Sequence, residues 1–242
     1  MEPDINHIHY NKFKLIGRDY GPWVATRVPQ TWARNVGAPR DVYNKLSPKQ
    51  LTRDELKRLC SDPRVSSELV FLSTMAWGGM KIDHGRRSWL NESRIMPIVN
   101  RIRTGKETRR NCFSLFKQFR EEVRGSGLGP AFFTKLIFFG HPAHSGYIMD
   151  QWTSIGINLL FNGLGHQVVH LNTGHYRGRR FDSVSDKNTC ENYEIFCQKI
   201  EYLSRELETI PEEIELRLFS SGGRKPGTWR KYVLENRNLL KI

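Results

Sequence analysis

The sequence predicts an all-α protein built as two helical bundles. Apolar residues recur at helical spacing through most of the chain, and strand-like alternation is sparse. The helical stretches also carry fitting ends, with capping pairs before them and glycines after them. Its 242 residues suffice for one large domain or two small ones with a real core. Thirty-eight Lys and Arg against 25 Asp and Glu leave a formal charge of +13. Such an excess attracts polyanions, nucleic acid before an anionic membrane surface. The sequence has no apolar run of about 18 residues, the length a membrane-spanning helix needs. The opening MEPDINHIHYNKFK lacks the basic-then-apolar plan of a secretory signal, so the expected location is the cytoplasm. A membrane-surface protein would need a long basic amphipathic helix with an aromatic face, and the sequence offers none.

Residues 1–50 hold most of the early Pro and Gly and read as irregular. Thr52 and Glu55 form a capping-box pattern for a helix reaching about Cys60. Helices are expected over 66–77, ending at Gly78-Gly79, and over 92–103 and 108–124, the last closed by Gly125. A glycine turn, a helix over about 130–139, a loop with two histidines and a helix over about 150–162 follow. Residues 163–187, rich in Gly, His and Arg, read as a loop. A long helix is expected from Asn188 to Thr209 with Glu191 completing its cap, then one started by Pro211 and stopped before Gly222-Gly223, then a basic tail. The expected division is a central bundle over 66–165 and a second bundle formed by 1–65 and 166–242.

The most informative stretch is Gly125 to Phe139. One helix ends, Gly127-Leu128-Gly129 turns, and Pro130 opens the next helix. Glycines permit positive φ and close approach of a phosphate, and the free N–H groups of a new helix start can hold an anion. A GxG turn between helices is, taken alone, more often just a turn. Lys135 lies inside the otherwise apolar helix Ala131–Phe139, so it either snorkels to water or sits in a pocket. Asp150 follows the apolar approach Tyr147-Ile148-Met149 at the mouth of the next helix.

GLGPA and TKLIFF followed by YIMDQW resemble the helix-hairpin-helix motif and catalytic aspartate of the DNA glycosylase superfamily. The likeness is to the 8-oxoguanine branch, including bacterial OGG-fold proteins, some of which act in phage defence. It covers about Gly125 to Trp152, with a weaker echo at Leu216–Ser220; the remainder matches only in its helical character. The resemblance implies that DNA and a base pocket lie between the two bundles. It also shows a departure. The usual catalytic lysine would stand at Ala131, while Asp150 holds the family spacing nineteen positions later. Lys135, one helical turn after Ala131 on the same face, takes the nucleophile role in this reading. The alternative is a single-step enzyme in which Asp150 acts with water and Lys135 contacts phosphate.

Cleaving an N-glycosidic bond builds positive charge on the sugar, which a carboxylate such as Asp150 stabilises. A lysine amine attacks C1′ if burial or nearby positive charge favours its neutral form; Phe132, Leu136 and Phe139 are the apolar neighbours here. An extruded base needs flat partners. The resemblance places Phe219 as the stacking aromatic and Glu215 as the reader of the base edge, accepting from ring N–H and amino groups. Phe132, Trp77 and Trp152 complete the expected pocket, with core packing as the plainer role for the aromatics and a solvated helix face for Glu215. Asp150, Lys135 and Phe219 are expected to open into one pocket.

Gly127, Gly129, Ala131, Arg124, Arg179 and Arg180 are the expected backbone contacts. Arg177 joins the arginine cluster, and Arg224, Lys225, Arg230 and Lys231 form another; either is also an ordinary solvated surface. Some family relatives bind an iron–sulfur cluster through four cysteines. Cys190 and Cys197 have the first spacing, but position 200 is Ile and no Cys follows, so Cys60, Cys112, Cys190 and Cys197 read as buried thiols. His166 and His170 are four apart, but Gly163 and Gly165 argue against the helix that a zinc pair needs there. No cofactor or metal is expected. The expectation is a monomeric glycosylase of double-stranded DNA acting on oxidised guanine or a phage-type modified cytosine. The competing reading is a non-catalytic DNA-binding module, favoured if Lys135 faces solvent.

Overall fold

The computed structural model describes residues 5–16, 25–143, 145–161, 167–176, 179–222 and 225–239. The fold is mostly helical, as expected. In chain order the helices are α1 (His7–Ile16), α2 (Pro29–Val36), α3 (Arg40–Tyr43), α4 (Arg53–Ser61), α5 (Ser67–Trp77), α6 (Ile82–Trp89), α7 (Glu92–Arg103), α8 (Arg109–Glu122), α9 (Pro130–Gly140) and α10 (Gln151–Leu160). A hairpin of β1 (Leu171–Tyr176) and β2 (Arg179–Val184) follows, then α11 (Cys190–Glu206) and α12 (Pro211–Phe219). The two-residue strands β3 (Ser221–Gly222) and β4 (Lys225–Pro226) precede α13 (Thr228–Asn236). The chain forms two compact units, one of residues Val24–Tyr147 and one of Met1–Trp23 with Ile148–Ile242. These boundaries differ from the expected 65/66 and 165/166.

In the unit Val24–Tyr147, α5 and α9 form the apolar centre. From Val70 to Trp77 every residue of α5 is buried, and in α9 burial is continuous from Phe133 to Gly140. Helices apolar all round are stable only when covered on all sides. Accordingly α2, α4, α7 and α9 pack against α5, while α4, α7 and α8 also pack against α9. Phe133 of α9 packs edge-on against Phe113 and stacks on Phe116, both of α8, at centroid distances of 4.9 and 5.1 Å. The Thr52–Glu55 capping box is formed: the Thr52 amide donates to Glu55 at 2.8 Å and the Glu55 amide to Thr52 Oγ1 at 3.2 Å.

In the other unit α10 is central, buried from Thr153 to Leu160 and packed by α1, α11, α12 and α13. Gly156 permits close approach: a Cβ there would meet Leu218 Cδ2 at 3.0 Å and Trp229 Nε1 at 3.3 Å. Phe13 of α1 packs edge-on against Trp229 of α13 at 4.8 Å.

Besides α6 and α13, which fall where no helix is expected, three stretches depart from the expected elements. Residues 1–50 are not irregular, since α1, α2 and α3 lie there. The expected loop 163–187 contains the antiparallel β1–β2 hairpin, in register from Leu171 opposite Val184 to Tyr176 opposite Arg179. Its inward position is a carboxylate: Asp182 is paired with Arg180 and Arg237, each at 3.0 Å, and accepts from Thr173 at 2.7 Å. A buried ionic residue takes the place of the apolar one that would have produced alternation. Third, the cap of α11 is Thr189 with Asn192, each side chain bonded to the other's backbone, and Glu191 has no part in it. The helix also stops at Glu206, short of Thr209.

Candidate functional site

The hairpin is built as its glycines require. Gly125 and Gly127 have φ of +75° and +80°, and a Cβ on Gly127 would come 2.4 Å from the carbonyl oxygen of His84. Ser88 ties the turn to α6 by donating to the Ser126 carbonyl at 2.9 Å, and Arg120 of α8 donates to that of Leu128 at 2.8 Å. Gly129 differs. Its φ is −79°, it is the N-cap of α9, and nothing lies within 4 Å of a Cβ added there. Among the described residues no bond engages the amides of Gly129 and Ala131. The helix start thus offers N–H donors beside open space, the arrangement that receives an anion. Arg124 is exposed.

Lys135 is 4% exposed, so it does not snorkel to water. Its stem turns back along α9. Nζ donates to the Ala131 carbonyl at 2.6 Å and lies 5.4 Å from the centroid of the half-buried Phe132 ring. The amine therefore ends beside the residue where the resembling family keeps its lysine. Room for the stem comes from Gly78, where a Cβ would meet Lys135 Cδ at 2.8 Å and Cε at 3.1 Å. Sequence reading treated Gly78 as a helix end and missed this second task. Trp77, 1% exposed, packs edge-on against Phe139 at 4.9 Å and is a core residue.

In the other unit Asp150 is the N-cap of α10, 8% exposed. Its Oδ1 accepts from the amides of Trp152 at 2.8 Å and Thr153 at 3.1 Å. Thr153 Oγ1 accepts from the Asp150 amide at 3.0 Å and donates to the Ile148 carbonyl at 2.8 Å. These bonds use Oδ1 and leave Oδ2 without a hydrogen bond among the described residues. The carboxylate is thus oriented by one oxygen and available through the other. Glu215, 2% exposed, accepts from the Ile148 amide at 3.1 Å through Oε2. It is not on a solvated face. It holds the backbone two residues before Asp150, a task its sequence position does not reveal.

Trp152 and Phe219 are half-buried and are joined by Arg230 of α13. The guanidinium carbon lies 4.6 Å from the Trp152 ring centroid and 4.3 Å from that of Phe219. Nε donates to the Phe219 carbonyl at 2.9 Å, and Nη2 donates to the same oxygen. The Asp150 charge is felt at Arg230, but desolvation is the larger influence and pushes the guanidinium down to about 10, still positive at neutral pH. The structure therefore gathers Asp150, Trp152, Phe219 and Glu215 in this unit, and Lys135, Phe132, Gly127, Gly129 and Ala131 in the unit Val24–Tyr147.

The remaining expected contacts fare differently. Arg180 is turned onto Asp182, Thr173 and Asn238 inside its unit rather than held out for phosphate. Arg179 lies in β2. Arg177, Arg224 and His166 lie outside the described residues. Cys60, Cys112 and Cys197 are buried, and burial pushes the Cys60 and Cys112 thiols up to about 12. Cys190 is half-exposed instead of buried, with its thiol donating to Glu191. Among the described residues no group of three or more His, Cys, Asp or Glu is placed to hold a metal ion, and no helix is long and apolar enough to cross a membrane.

The family match places this mostly helical chain, with its glycine hairpin and aspartate-capped helix, among DNA-glycosylase-like proteins. The model of the family described as "Putative 8-oxoguanine DNA glycosylase OGG-like protein" matches residues 22–219, and the chain belongs to that family. No curated protein and no solved structure matches the chain.

Proposed function

We propose that the chain is a DNA N-glycosylase that extrudes a modified base from double-stranded DNA and cleaves its bond to the sugar. The base is an oxidised guanine or a phage-type modified cytosine. The observation that carries this reading is Asp150: a carboxylate fixed through Oδ1 at a helix start, with Oδ2 unengaged. Such a group meets the positive charge that develops at C1′ as the base departs. Lys135 supplies the attacking amine. The neutral Nζ bonds to C1′ as the C1′–base bond breaks; the base leaves with the bonding pair and takes up one Nζ proton, the other passes to O4′ as the C1′–O4′ bond opens, and the sugar is held as a Schiff base. β-Elimination from that Schiff base, in which the C2′ proton is lost and the 3′ phosphate is expelled, would make the enzyme a lyase as well. Phe219 and Trp152 supply aromatic faces for the extruded base.

A Lys135 facing solvent would have favoured a non-catalytic DNA-binding module; at 4% exposure it does not. The test is mass spectrometry of free bases released from oxidised duplexes and from phage DNA carrying modified cytosines. Release of one base, lost in Asp150→Asn, supports the proposal and names the substrate. Tight DNA binding with no base released from any duplex would leave only the binding module.

A further inference from the structure

We propose that Arg230 is a substrate-contacting residue that grips a phosphodiester flanking the nucleotide presented to Asp150, an inference that rests on the glycosylase reading. Arg230 lies beyond the segment 22–219 matched by the family, on α13, yet it reaches back to three site residues: it lies over the rings of Trp152 and Phe219 and within the field of Asp150.

Its donors are divided. Nε and Nη2 both point to the Phe219 carbonyl, while Nη1 makes no hydrogen bond among the described residues. None of the carboxylates described accepts a hydrogen bond from it, which sets it apart from Arg180 and Arg237, both paired to Asp182. Arg230 is thus a half-buried cation, lying over two aromatic rings, with unused donors and no anion hydrogen-bonded to it. A guanidinium in that condition takes an anion with two oxygens in its plane.

The reaction supplies such an anion and a reason for the cation. Bringing a sugar to Asp150 also brings its phosphates, and carboxylate and phosphate repel. A cation beside both relieves that repulsion without protonating the carboxylate. A neutral base edge would use the donors but leave the desolvated charge uncompensated, so the phosphodiester is the better match. The carbonyl bond to Phe219 couples this grip to the ring expected to stack on the base.

The experiment measures binding of the full chain to a duplex with one tetrahydrofuran abasic analogue. Two further duplexes carry a single neutral methylphosphonate, on the 5′ or the 3′ side of the analogue. For the wild type, one neutral linkage should weaken binding by about tenfold, the scale of a charge-assisted hydrogen bond. Arg230→Met should lose a similar factor on the all-phosphate duplex and nothing more on that neutral one. Wild-type affinity unchanged by either neutral linkage overturns the proposal without any variant. So do losses that multiply, and so does an Arg230→Met protein that keeps its affinity but changes which base it releases. If the wild type binds the abasic duplex no better than an undamaged one, the glycosylase reading fails first and takes this inference with it.

Discussion

The Nζ of Lys135 lies 2.6 Å from the carbonyl oxygen of Ala131, one turn back along the same helix. The amine thereby ends beside Ala131, where the resemblance expects a lysine. If this amine attacks C1′, borohydride traps a covalent protein–DNA adduct, and Lys135→Gln abolishes it. Base release without a trappable adduct, or an adduct that survives Lys135→Gln, leaves a water-using enzyme built on Asp150 alone.

Gly78 gives an independent handle on the same amine. Its φ of −69° suits any residue, so Gly78→Ala is strained chiefly by the Lys135 stem, 2.8 Å from the new Cβ, with the Thr74 carbonyl next at 3.3 Å. Moving a reacting group by about an ångström can lower a rate by as much as about a hundredfold. Adduct formation should fall by at least about tenfold in Gly78→Ala while the melting temperature stays near that of the wild type. Undiminished trapping in this variant would show that the pose of Lys135 does not matter to the chemistry.

Asp150 both caps α10 and is proposed to act on the sugar, and two substitutions separate these tasks. Asparagine caps a helix about as well as aspartate. Asp150→Asn should therefore fold and bind DNA nearly normally while base release falls by at least about 100-fold. Asp150→Ala should in addition lose about 1 kcal/mol of stability with the cap. Comparing thermal melts with single-turnover release rates checks both; a well-folded Asn variant of undiminished rate would remove Asp150 from the mechanism.

The two hairpin glycines should respond differently. A side chain at Gly127 meets the His84 backbone and requires positive φ, so Gly127→Val should destabilise the protein itself. Gly129 has ordinary φ and open space, so Gly129→Val should lose only the roughly 1 kcal/mol of a poorer N-cap, far less than Gly127→Val, yet bind every duplex more weakly, because phosphate carries no sequence code. Binding assays on unrelated sequences decide this. Full affinity in Gly129→Val would place the DNA backbone elsewhere.

His9 makes the stability of its unit pH-dependent. Burial lowers its pKa below 6.5, and its ring Nδ1 lies 2.7 Å from the Tyr232 hydroxyl. The unfolded chain binds a proton here more readily than the folded one, so stability is complete above 6.5 and declines as pH falls below it. The drop in melting temperature between about pH 7.5 and 5 should be smaller in His9→Gln than in the wild type. Equal drops would show that the ring is no more reluctant to protonate in the fold than out of it.

What the sequence by itself determined is local. The Thr52–Glu55 box, the helix limits at 92–103, Pro130 and Pro211 as first helical residues, and the hairpin glycines each depend on residues a few positions apart. Backbone conformation and capping operate over that range, so the reading needed no knowledge of distant partners. The reach of Asp150 to the start of α10 belongs here too. The tertiary structure alone decided the rest. Asp182, an inward residue of the hairpin, is paired both with Arg180 inside it and with Arg237 from 55 positions further along the chain. Glu215 holds the Ile148 amide across 67 residues of sequence, and Arg230 lies over the Trp152 ring from a helix read as a basic tail. Charged residues in a sequence look like solvated surface. They become interior when another part of the chain supplies the opposite charge, hydrogen bond or aromatic face that offsets desolvation, and no spacing along the chain records where that part will come from.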